Sequence, residues 1–271
     1  MTPLELDQLV REIGDAVQRR LASAPAAVHA CACAAPAPRA DSRPALGGVA
    51  AQQGIAGLII QSLLGPDASH EQIRQLCREA RQYRFGAVCV QPSRVAAAVR
   101  ELRGTSVRVG AAIGYPHGAT LTPVKLCEAA QVMKLGASEL EMAIDAGALK
   151  SGDLDAVYTE IRLAADCAHA AGAVLKVLAD MATLGDEQKT TFCALARLAG
   201  ADMVKTSGDL PGSTASASDV ALAHRIVGGE LGIEVAGGVD SYSRFREMLA
   251  AGATRVATAA GVAILGEGAT S

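Results

Sequence analysis

The 271-residue sequence is short of aromatic side chains: Trp is absent, and aromatics make up only 3% of the chain. Core volume must therefore come from aliphatic residues, a mix that suits tightly packed helices and buried parallel strands. Neither sign of charge dominates. With 25 basic and 28 acidic residues the formal net charge is -3, which points away from nucleic acid and from anionic membranes as partners. Long hydrophobic runs are missing as well. The longest are of strand length, so no transmembrane helix is expected.

Charges interrupt the N-terminal apolar residues, so no secretory signal is expected, and acidic Glu5, Asp7, Glu12 and Asp15 argue against a mitochondrial presequence. The seven cysteines then read as free thiols in a reducing, cytosolic setting. Cys31 and Cys33 form a C-x-C pair beside His29, but further ligands at short spacing do not follow, so neither a metal nor another cofactor is expected. The G-x-G-x-x-G fingerprint is also lacking, which counts against a doubly wound dinucleotide fold.

What is present falls into three regions. In residues 1–22, Leu6, Leu9, Val10, Ile13, Val17 and Leu21 recur at helical spacing, predicting an amphipathic helix. Residues 23–53 are rich in Ala and Pro without periodicity and read as a disordered linker. A short helix on such a tether is marginal alone, so it needs a partner surface: its own barrel, an oligomer or another protein. From residue 54 to 271, strand patterns (IAGLIIQ, GAVCVQ, VRVGAAIG, ELEMAI, AVLKVLA, DMVKTS, GIEVAGG, TRVATA) alternate with helical ones. Eight nearly all-apolar strands alternating with helices predict an α/β fold, a (β/α)8 TIM barrel. Ser69 with Gln72 is expected to cap the helix that follows, and glycines in LAGAD and AAGAT to close helices.

Catalytic residues of such barrels project from the strands. Four charges interrupt apolar strands: Glu141, Lys176, Lys205 and Glu234. Each needs a partner or a task, because burying an isolated charge is costly. A structural ion-pair network and a catalytic site explain the pattern equally well. The lysines suggest a chemistry. A lysine amine attacks a carbonyl only when unprotonated, so its pKa must fall through burial or a neighbouring cation. Lys205 on the adjacent strand could be that cation for Lys176, and Glu141 could move protons.

The segments LLGPDAS, GAVCVQPSRV, IGYPHGATLTPVKLCEA, GALKSGDLDAVYTEI, AVLKV, AGADMVKTS, VAGGV and AGATRVATAAGVAI together resemble deoxyribose-phosphate aldolases over about residues 58–265. The resemblance implies a class I carbon–carbon lyase that needs no metal or cofactor and acts on a sugar phosphate or aldehyde. It implies Lys176 as the Schiff-base lysine, Lys205 as the second lysine and Glu141 in place of the proton-transfer aspartate. Gly237, Gly238, Gly261 and Ser207 would be the phosphate-binding positions, through backbone amides at a turn and a helix start.

Departures from the family cluster at these positions. The first strand's Asp-His-Thr reads Ile60, Gln61, Ser62; a seventh-strand lysine is Glu234; Ser-Thr-Gly after Lys205 reads Ser207, Gly208, Asp209; two serines read Ala259 and Ala260. Cys89 reads as a small core residue and His117 as a residue at a strand exit. The N-terminal helix and linker resemble encapsulation peptides. That implies a bacterial microcompartment lumen within the cytoplasm and a shell-protein partner for residues 1–22. A homodimer is a further expectation.

Overall fold

The computed structural model describes residues 3–23, 54–207 and 213–268. Most of the linker, with His29, Cys31 and Cys33, and the positions Gly208 and Asp209 lie outside the described residues. Helix α1 (Pro3–Ser23) precedes the barrel. The barrel's strands are β1 (Ile59–Leu63), β2 (Ala87–Val90), β3 (Arg108–Ile113), β4 (Glu139–Ala143), β5 (Val174–Leu178), β6 (Met203–Lys205), β7 (Gly232–Val235) and β8 (Arg255–Thr258). All pair in parallel in chain order, and β8 closes onto β1. Every expected strand is present, although Ile55–Leu58 forms a 3-10 turn ahead of β1 rather than part of it.

The helices wrap the barrel: α2 (His70–Tyr83) and α3 (Val95–Glu101), then α4 (Thr122–Lys134), the short α5 (Ala146–Lys150), α6 (Leu154–Ala170), α7 (Asp186–Ala199), α8 (Ala217–Val227), α9 (Tyr242–Ala250) and α10 (Gly261–Gly268). The expected capping box at α2 forms. The Ser69 backbone amide donates to Gln72 Oε1 at 2.8 Å, and the Gln72 amide donates to Ser69 Oγ. Gly200 closes α7 in the left-handed region at φ 86°, where a side chain would strain the backbone.

Strand alternation separates two cores. Ile59, Val88, Val109, Leu140, Met142, Leu175, Val177, Val204, Ile233 and Val256 face outward into the layer under the helices. Ile60, Ala87, Cys89, Ala112, Ala236 and Ala257 face inward and form a smaller apolar cluster. The interior is thus apolar and built of small residues around β1–β3. That leaves room for longer side chains reaching in from β4–β8.

Helix α1 lies on the outside of the barrel against α6, α7 and α8. Leu6, Ile13 and Val17 are buried in the outer core, and Gly14 faces Leu198 of α7. The stripe expected from the spacing therefore finds its cover on the chain itself, one of the three surfaces open to it from the sequence.

One buried ion pair ties the outer layer to the strand ends. Lys125 of α4 is wholly buried, pairs with Glu160 of α6 and donates to the Ala143 carbonyl at 2.9 Å. Glu160 in turn accepts from the Asp145 amide, and Glu128 of α4 accepts from the Gly114 amide at 2.8 Å. Burial raises the Glu160 carboxyl and Lys125 opposes that rise. Lys125→Met should leave Glu160 buried without its cation and cost about 3–5 kcal/mol of stability. Urea unfolding measures this, and a midpoint unchanged from wild type would refute the anchoring role.

Candidate active site

The same alternation that sorts the cores decides where the charged strand residues point. Glu139 and Glu141 flank outward-facing Leu140, Lys176 lies between outward-facing Leu175 and Val177, and Glu234 lies between Ile233 and Val235. Arg108, Lys205 and Arg255 share the inward phase. Strand register then brings them together: Glu141 pairs with Lys176 across β4–β5, Lys205 with Glu234 across β6–β7, and Glu234 with Arg255 across β7–β8.

The result is a buried ionic cage. Lys176 Nζ lies 2.8 Å from Glu139 Oε2, 3.1 Å from Glu141 Oε1 and 2.5 Å from Glu234 Oε2. Lys205 Nζ lies 2.5 Å from Glu141 Oε2 and 3.3 Å from Glu234 Oε1. Glu141 and Glu234 each bridge the two lysines. Beneath them Arg255 donates to both oxygens of Glu139, at 2.8 and 3.1 Å, and Arg108 reaches Glu139 at 3.2 Å. Both lysine side chains are 0% exposed, so each ion is satisfied by protein groups rather than bulk water.

The cage sets the protonation of its members. Burial disfavours the Lys176 ammonium, yet Glu139, Glu234 and Glu141 outweigh it and raise the lysine well above its ordinary value. This reverses the lowering that a neighbouring lysine suggests, because the carboxylates reach Lys176 first. Burial pushes Glu139 up, but Lys176 and Arg255 hold it at about 2. Glu141 is likewise held far below the usual carboxylate range by Lys205 and Lys176 against the effect of burial. Glu234 goes the other way: burial, then repulsion from Glu141, raise its carboxyl despite both lysines. The two neighbouring carboxyls are thus pushed in opposite directions. The Cys89 thiol, wholly buried beside the cage, is raised well above its ordinary value by burial and by Glu141, as befits a core residue.

Above the cage, Ser207 and the glycine turn share a corner. Gly237 and Gly238 adopt left-handed φ values of 89° and 69°, and a Cβ on Gly237 would come 2.7 Å from the Ser213 carbonyl. Ser207 Oγ bonds Ser213 Oγ at 2.6 Å, and Ser213 Oγ donates to Asp180 Oδ1 at 2.6 Å. Gly261 begins α10, but its amide donates to Gln61 Oε1 at 3.2 Å, and the Ala260 amide donates to Thr258 Oγ1 at 2.9 Å. These two helix-start donors are held by the chain's own side chains. His117 is exposed on the loop after β3.

A cavity of about 860 Å³ opens at the carboxyl ends of β1 and β2, lined by Ser62, Leu64, Pro66, Gln91, Tyr115 and Ala259 among others. Ser62 Oγ is buried there without a hydrogen-bond partner among the described residues. Leu64 belongs to the inner apolar cluster with Cys89, and Tyr115 packs on that cluster. The cavity thus borders the inner apolar cluster that contains Cys89.

Sequence reasoning picked out Lys176, Lys205, Glu141 and Glu234 and missed Glu139, Arg108 and Arg255. Glu139 was available from its two-residue spacing to Glu141, which puts both on one strand face. The arginines open their strands and resemble solvent-facing strand ends.

Comparison with known proteins agrees with this architecture. Residues 56–267 match the DeoC/LacD family aldolase model. Deoxyribose-phosphate aldolase of Streptococcus sanguinis is 42% identical over 76% of this chain and 93% of its own length. That of Thermococcus kodakarensis is 44% identical over 78% and 95%. A solved structure from Coccidioides immitis superposes with a TM-score of 0.78 at 30% identity, covering 99% of this chain and 98% of that one. The tetrameric deoxyribose phosphate aldolase of Aeropyrum pernix gives 0.74 at 28% identity, over 79% and 91%. With its closed barrel and the length of these matches, the chain belongs to the DeoC/LacD aldolase family and is a class I carbon–carbon lyase.

Proposed function

We propose that the protein is a Schiff-base aldolase that reversibly cleaves 2-deoxy-D-ribose 5-phosphate to acetaldehyde and D-glyceraldehyde 3-phosphate, with Lys176 as nucleophile. The observation that carries this reading is the convergence of Lys176, Lys205 and Glu141 in one buried cluster inside the barrel. The names of the most similar relatives supply the substrate. In this scheme the Lys176 amine adds to the C1 aldehyde and loses water to give an iminium. A carboxylate, by position Glu141, takes the C3 hydroxyl proton as the C2–C3 bond breaks, and the bonding pair moves into the iminium as an enamine. Protonation at C2 and hydrolysis then release acetaldehyde and the free lysine. Ser207, Gly237 and Gly238 lie together where they could receive the phosphate, with Gly261 at the start of α10.

A second reading is an aldolase retuned to a less anionic substrate. It draws on the Gly261 amide already bonded to Gln61 and on the acidic Asp180 behind Ser207 and Ser213. A third is a catalytically weak barrel serving as a binding scaffold. Borohydride reduction in the presence of acetaldehyde, followed by peptide mapping, should find the adduct on Lys176. Lys176→Arg keeps the cation but removes the nucleophile, and should abolish the adduct and lower turnover at least about a thousandfold. A folded wild-type protein that forms no adduct refutes both aldolase readings. On the leading reading, kcat/KM for 2-deoxyribose 5-phosphate should exceed that for 2-deoxyribose by about 10–100-fold, the worth of one charge-assisted hydrogen bond. Equal values would favour the retuned enzyme.

For α1 we propose delivery to a microcompartment shell. Its apolar stripe is already covered by α6, α7 and α8, so a shell protein would compete with the barrel for Leu6, Ile13 and Val17. Deleting residues 1–50 should leave turnover intact while abolishing co-purification with shell. Loss of folding on that deletion would assign the helix to the barrel instead.

A further inference from the structure

The cavity at the carboxyl ends of β1 and β2 holds a cation that the ionic cage does not use. Among the described residues that line it, Arg94 is the one base and Glu128 the one acid. Glu128 Oε2 accepts from the Gly114 amide at 2.8 Å. Arg94 is half-buried, and its Nε donates to the Ala68 carbonyl at 3.0 Å. That bond fixes the side chain just behind its head. It leaves the two terminal nitrogens without a hydrogen bond or ion pair among the described residues. A guanidinium held in this way offers a planar fork to an oxyanion with little further loss of side-chain freedom.

Ser62 marks the deeper end of the same cavity. It shares the inward phase of Ile60 and pairs with Cys89 across β1–β2. It is 6% exposed and lines the cavity, yet its Oγ is buried without a partner among the described residues. Buried hydroxyls are nearly always paired, so one left open on a cavity wall is a place for a ligand oxygen. Gln91 Nε2 donates to the Leu64 carbonyl at 2.8 Å, which leaves its Oε1 as an acceptor on the same wall. Leu63, Leu64, Pro66, Pro92, Pro116 and Ala259 make the rest of the lining mostly apolar.

We propose that this cavity binds an acceptor aldehyde that carries a carboxylate. Arg94 holds the carboxylate, Ser62 meets an oxygen at the deeper end, and a short hydrocarbon chain between them lies on the apolar wall. Charge selects a carboxylate over a phosphate. Arg94 and Glu128 bring the lining to zero net charge, and one fork matches one carboxylate. A dianionic phosphate would leave a charge uncompensated against apolar groups. The volume of about 860 Å³ falls in the range of small-molecule sites and has room for a chain of several carbons. The less anionic aldolase reading thereby gains a substrate class.

The chemistry rests on the Schiff-base aldolase reading, whereas the binding site does not. With acetaldehyde as donor, the methyl carbon loses a proton as the iminium becomes an enamine. That carbon then bonds to the aldehyde carbon of the acceptor. The acceptor's carbonyl π pair moves to its oxygen, which takes up one proton and becomes a hydroxyl. Water hydrolyses the iminium, so the product contains all the atoms of the two aldehydes.

Succinic semialdehyde and butanal have the same number of carbons and differ by a carboxylate at the far end. The test compares kcat/KM for their addition to acetaldehyde in wild type, Arg94→Met and Arg94→Lys. Wild type should favour the semialdehyde by about 10–100-fold, the worth of one charge-assisted hydrogen bond, and Arg94→Met should bring the ratio to about one. Arg94→Lys keeps the charge without the fork and should fall between. No preference in wild type, or an undiminished preference in Arg94→Met, overturns the proposal. Should Arg94→Met fail to fold, the wild-type ratio and Arg94→Lys decide in the same way. Calorimetry with butyrate separates the site from the chemistry. Butyrate bound at least about tenfold more weakly by Arg94→Met than by wild type supports the site. That result stands even where acetaldehyde gives no borohydride-trapped adduct, the outcome that overturns the aldolase reading. Equal butyrate affinity in the two proteins overturns the site.

Discussion

The interaction on which the rest of the barrel interior depends is the pairing of Lys176 with Glu139, Glu141 and Glu234. A lysine cannot lie at the centre of a closed sheet without counter-charge, and three carboxylates exceed what one lysine needs. Lys205 and Arg255 balance the excess, each from its own strand. The cage therefore spans β4 to β8, and its integrity requires those strands to keep their register. A slip of one residue would turn every member of a strand to the outer face. The same interaction that closes the electrostatics holds Lys176 in its ammonium form.

Small residues on the opposite wall are the steric counterpart of the cage. Ala87, Cys89 and Ala112 take little volume, and the long charged chains of β4–β8 extend into the space they leave. Core packing is dense enough that enlarging any of these would displace a charged neighbour. Lys125 and Glu160 support the arrangement from outside by fixing the Ala143 carbonyl at the end of β4, the strand that carries Glu139 and Glu141.

The barrel was legible in the sequence because it rests on local periodicity. Apolar strand runs, helical stripes, the Ser69 cap and the closing Gly200 all declare themselves within a few residues. The lysine pair was legible as a breach of that periodicity. The direction of the Lys176 shift was not, because it depends on how many carboxylates converge from other strands, and strand pattern alone marked Glu141 and Glu234 without showing that both, with Glu139, reach the same nitrogen. Gln61 illustrates the same limit. It lies about 200 positions from Gly261 in sequence, and only barrel closure brings β1 next to the start of α10. The apolar stripe of α1 was equally plain, while the surface that covers it was not, since any apolar groove would satisfy the pattern.

Gln61 and Glu234 act in parallel, although they stand on different strands. Gln61 presents a carbonyl oxygen to a helix-start amide, and Glu234 presents a carboxylate to Lys176. In each case a side chain occupies a donor suited to an oxygen-bearing ligand. A substrate that engages those donors must therefore exchange one acceptor for another, and its net gain is the difference between two hydrogen bonds rather than the whole of one. Such exchange lowers ground-state affinity without penalising any interaction that forms only as charge develops, so its cost falls on KM before kcat.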